Sequence, residues 1–394
     1  MSLFARLANH WIATQQPYQP GRPIEEVARE LGLGDIDGIV KLASNENALG
    51  PSPKAMEAMR AAIPKMHLYP DGGSFYLRQA IAKKYGIAPD MTMLGCGCNE
   101  HAVLLAHAFM DRGDALVASA RSFVVYKLVA ALYHCPFIEA PMRDMTHDLD
   151  AILAAITPKT KIVVVGNPNN PTGTMVGQAA VDRFVEQVPA DVVTVFDEAY
   201  MELVDPAHQV DTVKHVKAAK KPVVTLRTFS KAYGLAGLRV GYAIAQPDGI
   251  DLLNKVRQAF NVNAMAQAAA VAALDDDAHL EATRKMLREG RTQLMDGMRK
   301  LGLEPVESVT NFILFPFKKA AGLTAALTKR KVIVRPMAGF GLPDYVRVSV
   351  GTAKENAQFL NALSEALIEL KYELRRVGPT RPALPSAAGR PRRG

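Results

Sequence analysis

Seven short apolar runs, separated mostly by helical stretches, do most to narrow what this chain can fold into. They fall at 91–95, 115–119, 137–141, 161–166, 192–197, 223–227 and 240–244. Several are dense in valine and isoleucine and read as buried strands. Strands alternating with helices predict an α/β fold with a largely parallel sheet. Around this core the pattern predicts an arm over 1–45, mostly irregular, with one short helix near 23–31, and a further helix over 53–63. A long helical stretch at 278–301 leads into a small α+β unit. Its strands are expected near 312–315, 332–335 and 345–350, and a closing helix over 354–370. The expected division is an arm (1–45), a large domain (46–275), a small domain (276–374) and a disordered tail (375–394).

The sixth run leads into Thr228-Phe229-Ser230-Lys231-Ala232-Tyr233-Gly234, followed by Gly237 and Arg239. Small residues let the backbone approach a ligand closely. Two hydroxyls and a guanidinium at this spacing suit a phosphate. A lysine beside such a cradle is what a pyridoxal phosphate enzyme needs, because the amine can bond the cofactor's aldehyde while the phosphate anchors the other end. Taken alone, Lys231 would read as a solvated surface charge, as most lysines are.

Two other strand ends carry polar groups. The run at 192–197 ends in Asp197, with Glu198, Ala199 and Tyr200 after it. In open α/β sheets ligands bind at the C-terminal ends of strands. There an acid can pair with a pyridine nitrogen, although an Asp after a strand also serves as an ordinary helix N-cap. The run at 161–166 ends in Asn167-Pro168-Asn169-Asn170-Pro171-Thr172-Gly173. This is either a rigid mount for the Asn170 amide or a plain turn.

Together the motifs Asn-Pro-x-Asn-Pro-Thr-Gly, Asp-Glu-Ala-Tyr and Ser-Lys-x-x-x-x-x-Gly-x-Arg resemble the fold type I pyridoxal phosphate enzymes, and among them the class I/II aminotransferases. The resemblance spans roughly residues 15 to 370. The stretches 18–23, 41–47, 50–53, 260–263, 332–336 and 347–352 are similar to the histidinol-phosphate aminotransferases.

The resemblance implies pyridoxal 5'-phosphate as cofactor and roles for particular residues. Lys231 would carry the cofactor and move the proton, Asp197 would pair with the ring nitrogen, and Asn170 and Tyr200 would hydrogen-bond the ring oxygen. Thr228, Ser230, Arg239 and the Cys98 and Asn99 amides would hold the phosphate. Those amides follow the first strand, where a helix is expected to open near 101, and a helix N-terminus suits an anion. The family commonly has serine where Cys98 stands, so a hydroxyl contact would be lost there. Phe123 would cover the pyridine face, which needs only an aromatic ring. Tyr69 would reach the phosphate of a neighbouring subunit, implying a homodimer with shared sites. Tyr18, Asn45, Arg335 and Arg347 would bind substrate. The implied small-molecule substrates are histidinol phosphate and the glutamate/2-oxoglutarate pair.

Other readings share many of these residues: an aromatic amino-acid aminotransferase, a phospho-amino-acid decarboxylase on the same scaffold, and a cofactor-binding sensor in a transcriptional regulator. The last needs a fused DNA-binding module, and an arm of about 45 residues is short for a domain.

The formal net charge of +8 bears on partners only after dissection. Arg375, Arg376, Arg381, Arg390, Arg392 and Arg393 supply six of those charges in a Pro- and Gly-rich tail without acids. The body is near balance, and nucleic acid is not an expected partner. No run approaches the ~20 apolar residues of a membrane span, and the first sixteen residues lack the apolar core of a signal peptide. Cys96, Cys98 and Cys135 are too few for a disulfide framework. Cys96 and Cys98 without a second pair make a poor zinc site, so no metal is expected. A reducing cytoplasm is the expected setting.

Overall fold

A computed structural model describes residues 3–15, 17, 21–32 and 36–370. All seven apolar runs are strands: β1 (Thr92–Gly95), β2 (Ala115–Ser119), β3 (Phe137–Ala140), β4 (Thr160–Gly166), β5 (Val193–Asp197), β6 (Val223–Thr228) and β7 (Gly241–Ile244). They form one sheet in the order β1-β7-β6-β5-β4-β2-β3. Pairings from β6 through to β3 are parallel, whereas β7 runs antiparallel to both its neighbours. The connection explains the reversal. A parallel return needs a crossover of a dozen or more residues, usually a helix. Residues 229–240 between β6 and β7 form no α-helix, only a 3-10 turn at Ala236–Leu238, so no crossover helix carries the chain back over the sheet and it returns alongside itself.

Helices cover both faces. One face buries Phe184, Phe196 and Tyr242, and the other packs against Leu104, Leu105 and Val129. Burial on both sides is why the strands read as continuous apolar runs rather than alternating ones. Helix α1 (Cys98–Phe109) follows β1 and helix α2 (Val125–Leu132) follows β2. The long helix α3 spans Asp277–Lys300.

A second, three-stranded antiparallel sheet joins β8 (Phe312–Pro316), β10 (Tyr345–Ser349) and β9 (Arg335–Pro336), with β10 in the middle. Helix α4 (Ala353–Glu369) closes the described chain, and its N-terminus is held by a Thr352–Glu355 capping box. The strand expected near 332–335 divides. Val332–Ile333 pairs in parallel with Val40–Lys41 of the arm, and only Arg335–Pro336 joins the three-stranded sheet. The arm is also more ordered than expected, with helices at Leu3–Leu7, His10–Ala13 and Ile24–Glu30. Its third helix buries Val27 and Ala28 against Ile39, Ala43 and Ile333. No helix among the described residues is long and apolar enough to cross a membrane.

Candidate active site

The loop that carries Lys231 is fixed from both sides. Ser230 donates its backbone N–H to Thr228 Oγ1 at 3.1 Å, and the two hydroxyl oxygens lie 3.0 Å apart. Beyond the lysine, Gly234 takes a positive φ of 68°. A Cβ there would fall 2.1 Å from the Gly50 carbonyl oxygen, so only glycine admits this contact. Asn47 adds a clamp, donating to the Ala232 carbonyl at 3.0 Å and to Thr283 Oγ1 of α3 at 3.1 Å. Lys231 itself donates from Nζ to the Ser44 carbonyl at 3.2 Å. Burial, reinforced by the nearby Arg347 charge, brings its ammonium down to about 8.

Strand ends and the start of α1 frame a cradle. The helix begins at Cys98, earlier than expected, so the Cys98 and Asn99 amides belong to its first turn and have no partner within the helix. Gly97, at φ 74°, lies against the Arg239 guanidinium, and a Cβ there would come within 2.7 Å of Nη2. On the opposite side, a Cβ on Gly241 would meet the Arg227 carbonyl oxygen at 2.8 Å and Cys98 N at 3.2 Å. Arg239 donates from Nη1 to the Ala236 carbonyl at 3.1 Å and lies 3.5 Å from Ser230 Oγ. The Cys98 thiol donates to the Arg227 carbonyl at 3.3 Å. Burial, then the Asp197 charge, holds its pKa well above the usual thiol value.

Asp197 ends β5 as a buried carboxylate. Its Oδ1 accepts from the Ala199 N–H at 3.1 Å, and its Oδ2 accepts from the Tyr126 hydroxyl. Burial raises its pKa, opposed by those two hydrogen bonds and by the Lys231 charge. The sequence reading missed Tyr126. It lies in α2, 71 positions from Asp197, and the only hint was its place in the Phe123 stretch. Burial and the neighbouring carboxylate keep its hydroxyl protonated, so it remains a donor.

Arg347, buried in β10, donates from Nη1 to Asn170 Oδ1 and from Nη2 to the Ala43 carbonyl at 3.0 Å. Arg335 is its register partner on β9, so the two guanidinium stems leave the same face of the sheet. Asn45 adopts φ 56°, donates its side-chain amide to Tyr200 Oη at 3.0 Å and its backbone N–H to Ser349 Oγ at 2.9 Å. Burial pushes the Tyr200 hydroxyl up to about 12.

Lys231, Asp197, Tyr200, Asn170, Asn45 and Arg347 thus gather around one point, with the Thr228–Ser230–Arg239 cradle beside it. Phe123 sits edge-on to Tyr126, ring centroids 6.1 Å apart. Tyr69 is 82% exposed and stacks on Phe260 at 4.7 Å. Tyr18 and the tail lie outside the described residues.

The donors fit pyridoxal phosphate. The Gly97 and Gly241 approaches leave no room for side chains beside the first-turn amides of α1, which is where a phosphate would need bare backbone. The acid suited to the ring nitrogen and the amine suited to the aldehyde stand within reach of one another's charge.

A family profile described as Aminotransferase class I and II matches residues 37–363. Curated relatives include the histidinol-phosphate aminotransferase 1 of Cupriavidus pinatubonensis, 48% identical over 91% of this chain and 96% of its own. The histidinol-phosphate aminotransferase of Moorella thermoacetica is 45% identical over 90% of this chain and 92% of its own. Among solved structures, the histidinol-phosphate aminotransferase of Sinorhizobium meliloti in complex with pyridoxal-5'-phosphate superposes with a TM-score of 0.82. It is 27% identical and covers 91% of this chain and 97% of its own.

Proposed function

Because the chain belongs to the class I and II aminotransferases, we propose that it transfers the amino group of histidinol phosphate to 2-oxoglutarate, giving imidazole acetol phosphate and glutamate. Pyridoxal phosphate is the cofactor; when bound, it supplies an electron sink for the charge left on the substrate carbon. Lys231 holds the cofactor at rest. With the cofactor bound, the Lys231 amine would serve as the base that takes up and passes on the substrate-carbon proton, a duty that an amine near neutrality suits. Asp197 would set its carboxylate against the ring nitrogen, with Tyr126 and the Ala199 amide orienting its two oxygens. Asn170 and Tyr200 would turn donors toward the ring oxygen. Thr228, Ser230, Arg239 and the first-turn amides of α1 would grip the phosphate, and Phe123 would cover the ring.

One observation carries the choice of substrate: Arg335 and Arg347 face each other across β9 and β10. Two guanidinium groups side by side on one face offer a cationic surface that suits both a phosphate monoester in one half-reaction and a dicarboxylate in the other. The test is a donor panel of histidinol phosphate, phenylalanine, tyrosine and threonine phosphate with 2-oxoglutarate as acceptor. Histidinol phosphate should give the highest kcat/KM. A preference for phenylalanine would overturn the reading.

The active form is read as a homodimer. An exposed apolar stretch supports this: Leu68, Tyr69, Phe75 and Tyr76 are each more than half exposed. Tyr69 would enter the neighbouring subunit's cradle. The three cysteines are free thiols, in keeping with a reducing cytoplasm.

A further inference from the structure

The sheet carries a buried ionic network that the proposed chemistry does not use. Arg227 and Glu198 follow the register of neighbouring parallel strands, in which Asp197 pairs with Leu226 and Glu198 N donates to the Leu226 carbonyl at 2.9 Å. The Arg227 guanidinium closes on one oxygen of Glu198, from Nε at 2.8 Å and Nη2 at 2.6 Å. The other Glu198 oxygen accepts from Thr212 at 2.8 Å. Arg227 Nη1 reaches Glu202 Oε1 and Tyr85 Oη, each at 3.3 Å. Side-chain exposure is 7% for Arg227, 0% for Glu198 and 4% for Glu202. Buried ion pairs are weak sources of stability, because desolvation offsets their attraction. Their retention asks for another reason.

Chain connectivity supplies one. Glu198 directly follows Asp197, and Arg227 directly precedes Thr228. Successive strand residues point to opposite faces, so the ion pair lies on one face while Asp197 and Thr228 point to the other. We propose that Arg227 is a positioning residue: by gripping Glu198 it fixes the spacing between the Asp197 carboxylate and the Thr228–Ser230 phosphate cradle, and so matches that spacing to the length of pyridoxal phosphate. The Arg227 carbonyl serves the same end, accepting from the Cys98 thiol and packing against Gly241, which holds the start of α1 to the strand ends. A ligand anchored at both ends tolerates little change in that distance, because misplacing one anchor loosens the other.

This rests on the reading that Asp197 and Thr228 hold opposite ends of the cofactor. Asp197→Asn and Thr228→Val test that reading separately. Each should weaken pyridoxal phosphate binding, and if neither does, the reading itself fails. The positioning role is tested with Arg227→Met/Glu198→Met/Glu202→Gln, which leaves no charge in this network. The full-length apoprotein of this variant should melt within a few degrees of wild type. Its dissociation constant for pyridoxal phosphate should rise at least about tenfold, and the pH midpoint of the bound cofactor's visible absorbance should move. A folded variant with unchanged affinity and midpoint would overturn the proposal. So would a variant whose affinity falls only in step with its melting temperature. Should the triple variant not fold, Glu198→Gln decides, since it keeps the shape and removes the charge. It should move the same two readouts to a lesser degree, and no movement in the folded protein overturns the proposal.

Discussion

Arg347 reaches from β10 to the loop after β4, where its Nη1 donates to Oδ1 of Asn170. The contact settles which way the Asn170 amide faces. Its oxygen is turned to the guanidinium, so its nitrogen is the atom left to donate elsewhere. The residue proposed to bind substrate and the residue proposed to bind the cofactor's ring oxygen therefore share one hydrogen bond. Loss of Arg347 should change the cofactor's spectrum as well as substrate affinity.

Lys231→Ala should abolish turnover in a folded protein. Borohydride should fix the cofactor onto the Lys231 peptide in the wild type and onto no peptide in the variant. Labelling at a different lysine would remove Lys231 from its assigned role.

Reconstitution of the apoprotein should follow the ionisation of Lys231. Only the neutral amine attacks an aldehyde, and burial has moved its pKa from 10.5 down to about 8. The rate of cofactor uptake should therefore climb about tenfold per pH unit below about 8 and level off above it. A climb continuing through pH 10 would mean that the amine is not perturbed.

Asp197→Asn keeps the shape and removes the anion. Turnover should fall by orders of magnitude, because an uncharged neighbour no longer keeps the ring nitrogen protonated. Tyr126→Phe deletes one hydrogen bond to the same carboxylate and should have a milder effect, roughly 1–3 kcal/mol. Near-normal turnover of Asp197→Asn, loaded with cofactor, would reduce Asp197 to a structural cap.

Arg335→Leu should lower kcat/KM for histidinol phosphate at least about tenfold, a loss of ~1.4 kcal/mol or more. Phenylalanine carries its only anion beside the reacting carbon, so its efficiency should change far less. Equal losses on both would remove Arg335 from distal-end recognition.

Gly234→Ala should be among the most destabilising single changes in the chain. A positive φ costs a side chain about 1–2 kcal/mol, and here the Cβ also overlaps the Gly50 carbonyl. The melting temperature should drop clearly, while Gly339→Ala, in open space and without a positive φ, should leave it near wild type.

The strands were legible because their apolar runs are buried on both faces. Val193–Asp197 and Thr160–Gly166 each lie within one residue of the expected span. Direction was not legible. Nothing in the composition of Gly241–Ile244 says antiparallel; only the lack of a crossover helix before it does. The split at Val334 was hidden for a similar reason, since Val332–Ile333 and Arg335–Pro336 differ in partner rather than in propensity. In the site, Lys231, Asp197 and Asn170 stood out only in combination, through the family motifs that contain them. Tyr126 did not, because a tyrosine in an amphipathic helix reads as core. Arg227 and Glu198 could have been noticed as single charges in or beside apolar runs, but only the strand register brings them together.

The pairing of Val40–Lys41 with Val332–Ile333 sets an order on biosynthesis. The arm's Val40–Lys41 strand finds its partner only once Val332–Ile333 has left the ribosome, and Asn45 meets Ser349 later still. Until then the large sheet can assemble from neighbouring segments, while the arm's polar backbone waits in water. Long-range closures of this kind form late and slowly. A nascent or truncated chain ending before β10 would lack Arg347 and the support of Asn45. The site proposed for substrate is thus incomplete until β10 has emerged.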